Sequence, residues 1–193
     1  MRDELFDFQK DACYQLRAKL AVARSLASVD NPQVVSFSAP TGSGKTVILV
    51  QLFEEIFYGQ HEFPAQPDAI ILWISDLPQL NEQTRRKIEA KSDRIRVSQL
   101  VTIDSSYDAE YLAGGHVYFL NTQKLGSDKI LTQHGDGREY TIWETLTNTA
   151  LSFSGKFYVV IDEAHRGMNY RNQQQIEEAR TIMQRFLLGS REH

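Results

Sequence analysis

Val34–Thr46 reads VVSFSAPTGSGKT, and its parts in order decide the fold class. The apolar run Val34 to Ser38 predicts a short buried strand. Gly42 and Gly44 let backbone N–H groups turn inward around an anion, because glycine takes positive φ without a steric penalty. From Lys45 an apolar helical pattern runs through Val47, Leu49, Leu52, Phe53, Ile56 and Phe57 and stops at Gly59. A helix that starts there points its positive dipole end at the same anion. Strand, glycine turn and helix in this order are what a phosphate-binding loop requires. Pro40, Thr41, Gly42, Ser43 and Gly44 would cradle phosphate, Lys45 would reach the β- and γ-phosphates, and the Thr46 hydroxyl can ligate Mg²⁺. The same letters in isolation also describe a turn that binds nothing. The flanking strand and helix favour phosphate.

Outward from this stretch, short apolar runs alternate with amphipathic ones. Helices are predicted over about Phe6 to Val29, Leu77 to Lys91, Thr141 to Phe153 and Gln173 to Leu188. Strands are predicted over Ala69 to Ile74, Val117 to Leu120 and Phe157 to Ile161, with Val97 to Ile103 ambiguous and residues 126–137 a loop. This alternation predicts βαβ units: an α/β, three-layer fold with a mostly parallel central sheet. Ligands of such sheets sit outside the carboxyl ends of the strands. The last strand runs directly into Asp162-Glu163-Ala164-His165. A carboxylate at a strand tip near a phosphate loop can hold Mg²⁺, which suits Asp162. The adjacent Glu163 can act as general base for the water that attacks the γ-phosphate.

Composition narrows the class further. The 193 residues carry 21 Lys+Arg against 25 Asp+Glu, a net charge of −4, with 41% hydrophobic residues. That is a globular composition and not a uniformly basic nucleic-acid binder. The charge is uneven, however. Arg85, Arg86, Lys87, Lys91, Arg94 and Arg96 outnumber Glu89 and Asp93, so Arg85 to Arg96 is +4 and the remainder −8. Such a stripe can mark a face that contacts phosphates, although most charge runs are only solvated surface. The single Cys13 excludes a disulfide framework, and the five scattered His residues with no cysteine cluster exclude a structural zinc site. No apolar run is long enough to cross a membrane, and MRDELFDF is not a secretory signal, so a cytoplasmic location is expected.

Two motifs together carry a family resemblance. Ala39-Pro-Thr-Gly-Ser-Gly-Lys-Thr46, with Ala where the commoner loop has Gly, and Asp162-Glu-Ala-His165 resemble motifs I and II of superfamily 2 helicases and translocases. More narrowly they resemble the DEAD/DEAH-box motor domain of the type III restriction enzyme restriction subunit, and the match covers nearly the whole chain as its first RecA-like domain. The resemblance implies an ATP-binding and ATP-hydrolysing lobe, with Mg²⁺, acting on nucleic acid, DNA being favoured. Phe8-Gln9 is similar to the aromatic-Gln pair whose amide reads the adenine edge. Residues 71–83, ILWISDLPQLNEQ, look like motif Ia, so that Ser75 and Asp76 would contact a nucleic-acid backbone and Gln83 would steady the helix. Arg85 and Arg86 continue that helix. In 117–125, VYFLNTQKL, Thr122 with Asn121 and Gln123 would touch a phosphate. His165 would couple the nucleotide site to a second lobe. Asp76 and Thr122 also read as plain helix caps.

The pattern departs from a whole motor in one respect. Only 28 residues follow His165, and they contain neither a Ser/Thr-Ala-Thr motif III nor a Gln-x-x-Gly-Arg motif VI. Residues 1–193 therefore read as a single lobe of a larger motor, with the second RecA-like domain absent and poor hydrolysis expected without its arginine finger. A modification or specificity subunit is a further partner implied by the resemblance. The competing reading is a single-lobe nucleotide-dependent nucleic-acid-binding or adaptor module. A GTPase is disfavoured because Asn121-Thr-Gln-Lys124 does not match the guanine-reading Asn-Lys-x-Asp pattern.

Overall fold

Six consecutive buried residues, Ile70–Ser75, form the central strand of the sheet (β1). β-branched and aromatic side chains fit a pleated surface covered on both faces, so the run reads as apolar throughout and does not alternate. The computed structural model describes residues 1–2, 4–28, 31–135 and 137–162. In chain order these give α1 (Asp7–Leu26), α2 (Lys45–Tyr58), β1, α3 (Pro78–Lys91), β2 (Leu100–Thr102), β3 (His116–Asn121), α4 (Ile142–Phe153) and β4 (Phe157–Ile161). Among the described residues the sheet has four strands in the order β2-β3-β1-β4, all parallel. Parallel pairing brings every strand's carboxyl end to one edge: Ser75 pairs with Asn121, and Ile74 with Ile161.

Alternation along the strands builds one core on each face. Ile71, Trp73, Val117 and Phe119 turn toward α1 and α2 and meet Cys13, Leu16, Ile48, Phe53, Ile56 and Phe57. Ile70, Leu72, Ile74, Tyr118 and Leu120 turn the other way and meet Ile142 and Leu146 of α4. The predicted three-layer α/β arrangement is therefore observed. Among the described residues, no helix is long and apolar enough to cross a membrane.

Several expectations shift. The predicted strand Val34 to Ser38 is not one among the described residues: there it joins no ladder. Val35 and Phe37 pack against the first core while Val34 is 70% exposed, so the side chains keep a strand's period of two with no partner strand among the described residues. Apolar alternation sets which side chains face inward; hydrogen-bonded pairing depends on a neighbour that local sequence does not specify. The ambiguous stretch 97–103 resolves into a 3₁₀ turn, Val97–Gln99, and the three-residue β2. The 126–137 loop contains one 3₁₀ turn, Ile130–Thr132. α1 ends three residues early, where the Asn31 side-chain amide donates to the Leu26 carbonyl at 3.1 Å. The predicted helix 173–188 lies outside the described residues.

Candidate phosphate loop and sheet edge

Gly44 is the residue before α2 and has φ of 80°; Gly42 has φ of 84°. Both lie in the left-handed region that glycine enters freely. Between them, Ser43 N–H donates to the Pro40 carbonyl at 3.2 Å, which closes the turn. The N–H groups of the first turn of α2 have no intrahelical acceptor, and among the described residues no side chain caps them. The Ser43 hydroxyl is buried with no partner among the described residues. Uncapped N–H groups and an orphaned hydroxyl, set in a loop shaped by two positive-φ glycines, fit an anion such as the phosphates of a nucleotide. The Lys45 ammonium donates to the Ala39 carbonyl at 2.8 Å and lies 3.4 Å from that of Pro40. These neutral acceptors can be exchanged for phosphate oxygens. Thr46, the predicted Mg²⁺ ligand, follows in the first turn of α2.

Gln9 ties α1 to this loop. Its side-chain N–H₂ donates to the Ser43 carbonyl at 3.0 Å, and its Oε1 accepts from Phe6 N–H at 3.0 Å. Both ends of the amide are thus engaged, and reading an adenine edge would require exchanging these bonds. Phe8 is exposed and stacks on Phe6, with ring centroids 5.9 Å apart and planes 7° apart.

The second group of predicted residues sits at the carboxyl edge of the sheet. Asp162 follows β4, and its N–H donates to the Ile74 carbonyl at 2.9 Å, which sets it beside Ser75. Glu163, Ala164 and His165 lie outside the described residues. Ser75 does not cap α3. Leu77 occupies the cap position with Pro78 next, and the Ser75 hydroxyl lies 2.8 Å from Asn81 Oδ1 and 3.0 Å from the Leu77 carbonyl. Only 1% exposed, Ser75 stands beneath the surface that would meet nucleic acid. One carboxylate oxygen of Asp76 is buried with no partner among the described residues. Thr122 is half-buried in the 3₁₀ turn Thr122–Lys124, and the cap of that turn is Asn121, whose Oδ1 accepts from Gln123 N–H at 2.9 Å. Of the basic stripe, Arg85 and Arg86 share Glu82, at 3.6 and 2.7 Å, and the Arg94 guanidinium lies 4.3 Å over the Tyr58 ring.

Sequence reasoning missed Asn81, and it placed Asn121 toward a phosphate when its amide faces inward. The available signal for Asn81 was spacing: Asn81, Thr84 and Ile88 are the buried face of α3, but two of the three are polar and give no apolar stripe.

The model of the family described as type III restriction enzyme, res subunit, matches residues 2–189 of the chain. No curated protein and no solved structure gives a match.

Proposed function

From the chain's membership of the type III restriction enzyme res-subunit family, a helicase-like P-loop ATPase domain, we propose that residues 39–46 bind the phosphates of ATP and that this lobe hydrolyses ATP to drive movement on DNA. The observation that carries the reading is the loop itself: two positive-φ glycines, an uncapped α2, an orphaned Ser43 hydroxyl and a Lys45 ammonium resting on backbone carbonyls. In this reading Lys45 leaves the Ala39 carbonyl for the β- and γ-phosphate oxygens, and the first-turn N–H groups of α2 fill the rest of their shell. The Thr46 hydroxyl and the Asp162 carboxylate would hold Mg²⁺, which neutralises charge on the phosphates. Glu163 would accept the proton of the attacking water, and His165 would pass the nucleotide state to a second lobe. Phe8 and Gln9 would meet the adenine. On the DNA side, Asp76, Thr122, Arg85 and Arg86 would face the backbone, with Ser75 supporting them from below.

Titration calorimetry with ATP and Mg²⁺ tests the site. Lys45→Ala should abolish the binding heat, whereas Glu163→Gln should bind ATP and lose hydrolysis. Unchanged ATP affinity in Lys45→Ala would refute the assignment.

A further inference from the structure

Three buried polar side chains at the carboxyl edge of the sheet have no part in the phosphate loop. Ser75, Asn121 and Asn81 are 1%, 3% and 7% exposed. They form one chain of contacts. Gln123 N–H needs an acceptor and finds Asn121 Oδ1 at 2.9 Å, which directs the Asn121 N–H₂ to the Ser75 carbonyl at 3.3 Å. The Ser75 hydroxyl has one proton and its nearest acceptor is Asn81 Oδ1, in the first turn of α3. On the other flank of β1, the Ile74 carbonyl accepts from Asp162 N–H. The chain thus joins the Thr122 turn, the start of α3 and the strand end that bears Asp162.

Burying three polar side chains where apolar ones would pack is costly unless every partner is met. What the hydrogen bonds add over apolar packing is register: each loop is fixed by directed bonds to Ser75 and not by contact alone.

We propose that Asn81 and Asn121 are positioning residues that, through Ser75, hold the Thr122 turn and the start of α3 in fixed register with Asp162, so that nucleotide binding and nucleic-acid binding are coupled. The inference rests on the proposed ATP- and DNA-binding reading and deepens it. In that reading the two loops on one side of Ser75 would face the nucleic acid, and the strand end on the other side, which bears Asp162, would face the metal and nucleotide. A displacement of one group is transmitted to the other because the link is a short run of directed bonds between buried side chains.

The test uses the full 193-residue chain. The affinity of a fluorescein-labelled 20-base-pair DNA is measured by anisotropy with and without a non-hydrolysable ATP analogue and Mg²⁺, and analogue affinity is measured alone by calorimetry. The ratio of the two DNA affinities is the coupling factor, expected to be about fivefold or more, the lower range for coupled sites. Asn121→Ala and Asn81→Ala should bring it to within about twofold of unity on that scale while analogue affinity is retained. Asn81→Asp, which keeps both the size of the side chain and an oxygen for the Ser75 hydroxyl, should restore it, and Asn81→Leu, which keeps the size without the oxygen, should not; with a role in packing alone, both would restore it. If an Ala variant does not fold, Asn121→Ser and the comparison of Asn81→Asp with Asn81→Leu decide the matter. A wild-type coupling factor in Asn121→Ala or Asn121→Ser, or a wild-type factor of one with both ligands bound, overturns the proposal. Failure of the wild-type chain to bind the analogue at all would instead overturn the ATP-binding reading.

Discussion

At Gly44 a Cβ would stand 2.5 Å from Gln9 Nε2, whereas at Gly42 it would meet nothing within 4 Å. Both residues have positive φ, so an alanine at either carries a left-handed penalty of about 1–2 kcal/mol. Only at Gly44 must the Gln9 amide also give up its place. Gly42→Ala should therefore lower stability by about the conformational penalty alone, and Gly44→Ala by more. Urea unfolding midpoints check the order, and equal midpoints would mean that the Gln9 side chain yields freely. The glycines were legible in the sequence because a phosphate loop has a recognisable spacing. The Gln9–Ser43 bond was not, since it spans 34 residues and nothing local to either residue announces it. Asn81 and Asn121 escaped for a related reason: an asparagine looks the same in sequence whether its amide meets water, a ligand or a buried backbone carbonyl.

Elements were read best where one segment decides its own state. β1, β3 and β4 lie within a residue or two of the apolar runs that predicted them; β1 and β3 are buried almost throughout, as strands covered on both faces are, whereas among the described residues β4 is only half-buried. The segment 34–38 also has an apolar run, and among the described residues it has no paired neighbour, the one thing that a run cannot supply. Helix α4 was also placed to within one residue of its start. Its Thr141 hydroxyl accepts from Glu144 N–H at 3.3 Å, and Glu144 Oε2 accepts from Thr141 N–H at 2.8 Å. Thr141→Ala should cost about 1 kcal/mol in urea unfolding and Thr141→Ser much less; no difference between the two would deny the cap a role. On α3 the exposed Arg86 and the half-buried Arg85 spend their charge partly on Glu82, an interaction worth little in solvent. Reversing Arg85, Arg86 and Lys87 to Glu should flatten the dependence of log affinity for DNA on log salt, by about 0.9 for each DNA phosphate that the chain no longer neutralises. An unaltered slope would return the stripe to plain solvated surface.

For the molecule as a whole, the first residues are clamped onto the helices beside the phosphate loop. The Met1 ammonium lies 2.9 Å from Glu54 of α2 and 2.6 Å from Asp93, and Ser92 donates to the same Glu54 carboxylate at 2.6 Å. Burial works against the charged amine, but the hydrogen bonds and charges of Asp93 and Glu54 outweigh it and hold its pKa above the ordinary value. Burial also pushes the Cys13 thiol well up, and the Glu55 carboxylate adds to the rise. Both groups keep their protons longer in the folded chain than in the unfolded one. Their contribution is therefore complete below the unfolded pKa values, near 8 for the amine and 8.5 for the thiol, and is lost as pH rises toward the folded values. For the thiol the loss approaches about 1.4 kcal/mol per pH unit once the unfolded chain is ionised. Asp93 works in the opposite direction: the Met1 ammonium holds its carboxyl below the ordinary range, so its share is present above the unfolded value and fades only in acid. The melting midpoint of the chain should accordingly fall between pH 7 and pH 10, less steeply after α-amino acetylation and less steeply again with Cys13→Ala, because each change removes one of the two raised groups. A midpoint that falls as steeply in the acetylated Cys13→Ala chain as in the unmodified one would assign the loss to other groups and leave the clamp with no electrostatic share in stability.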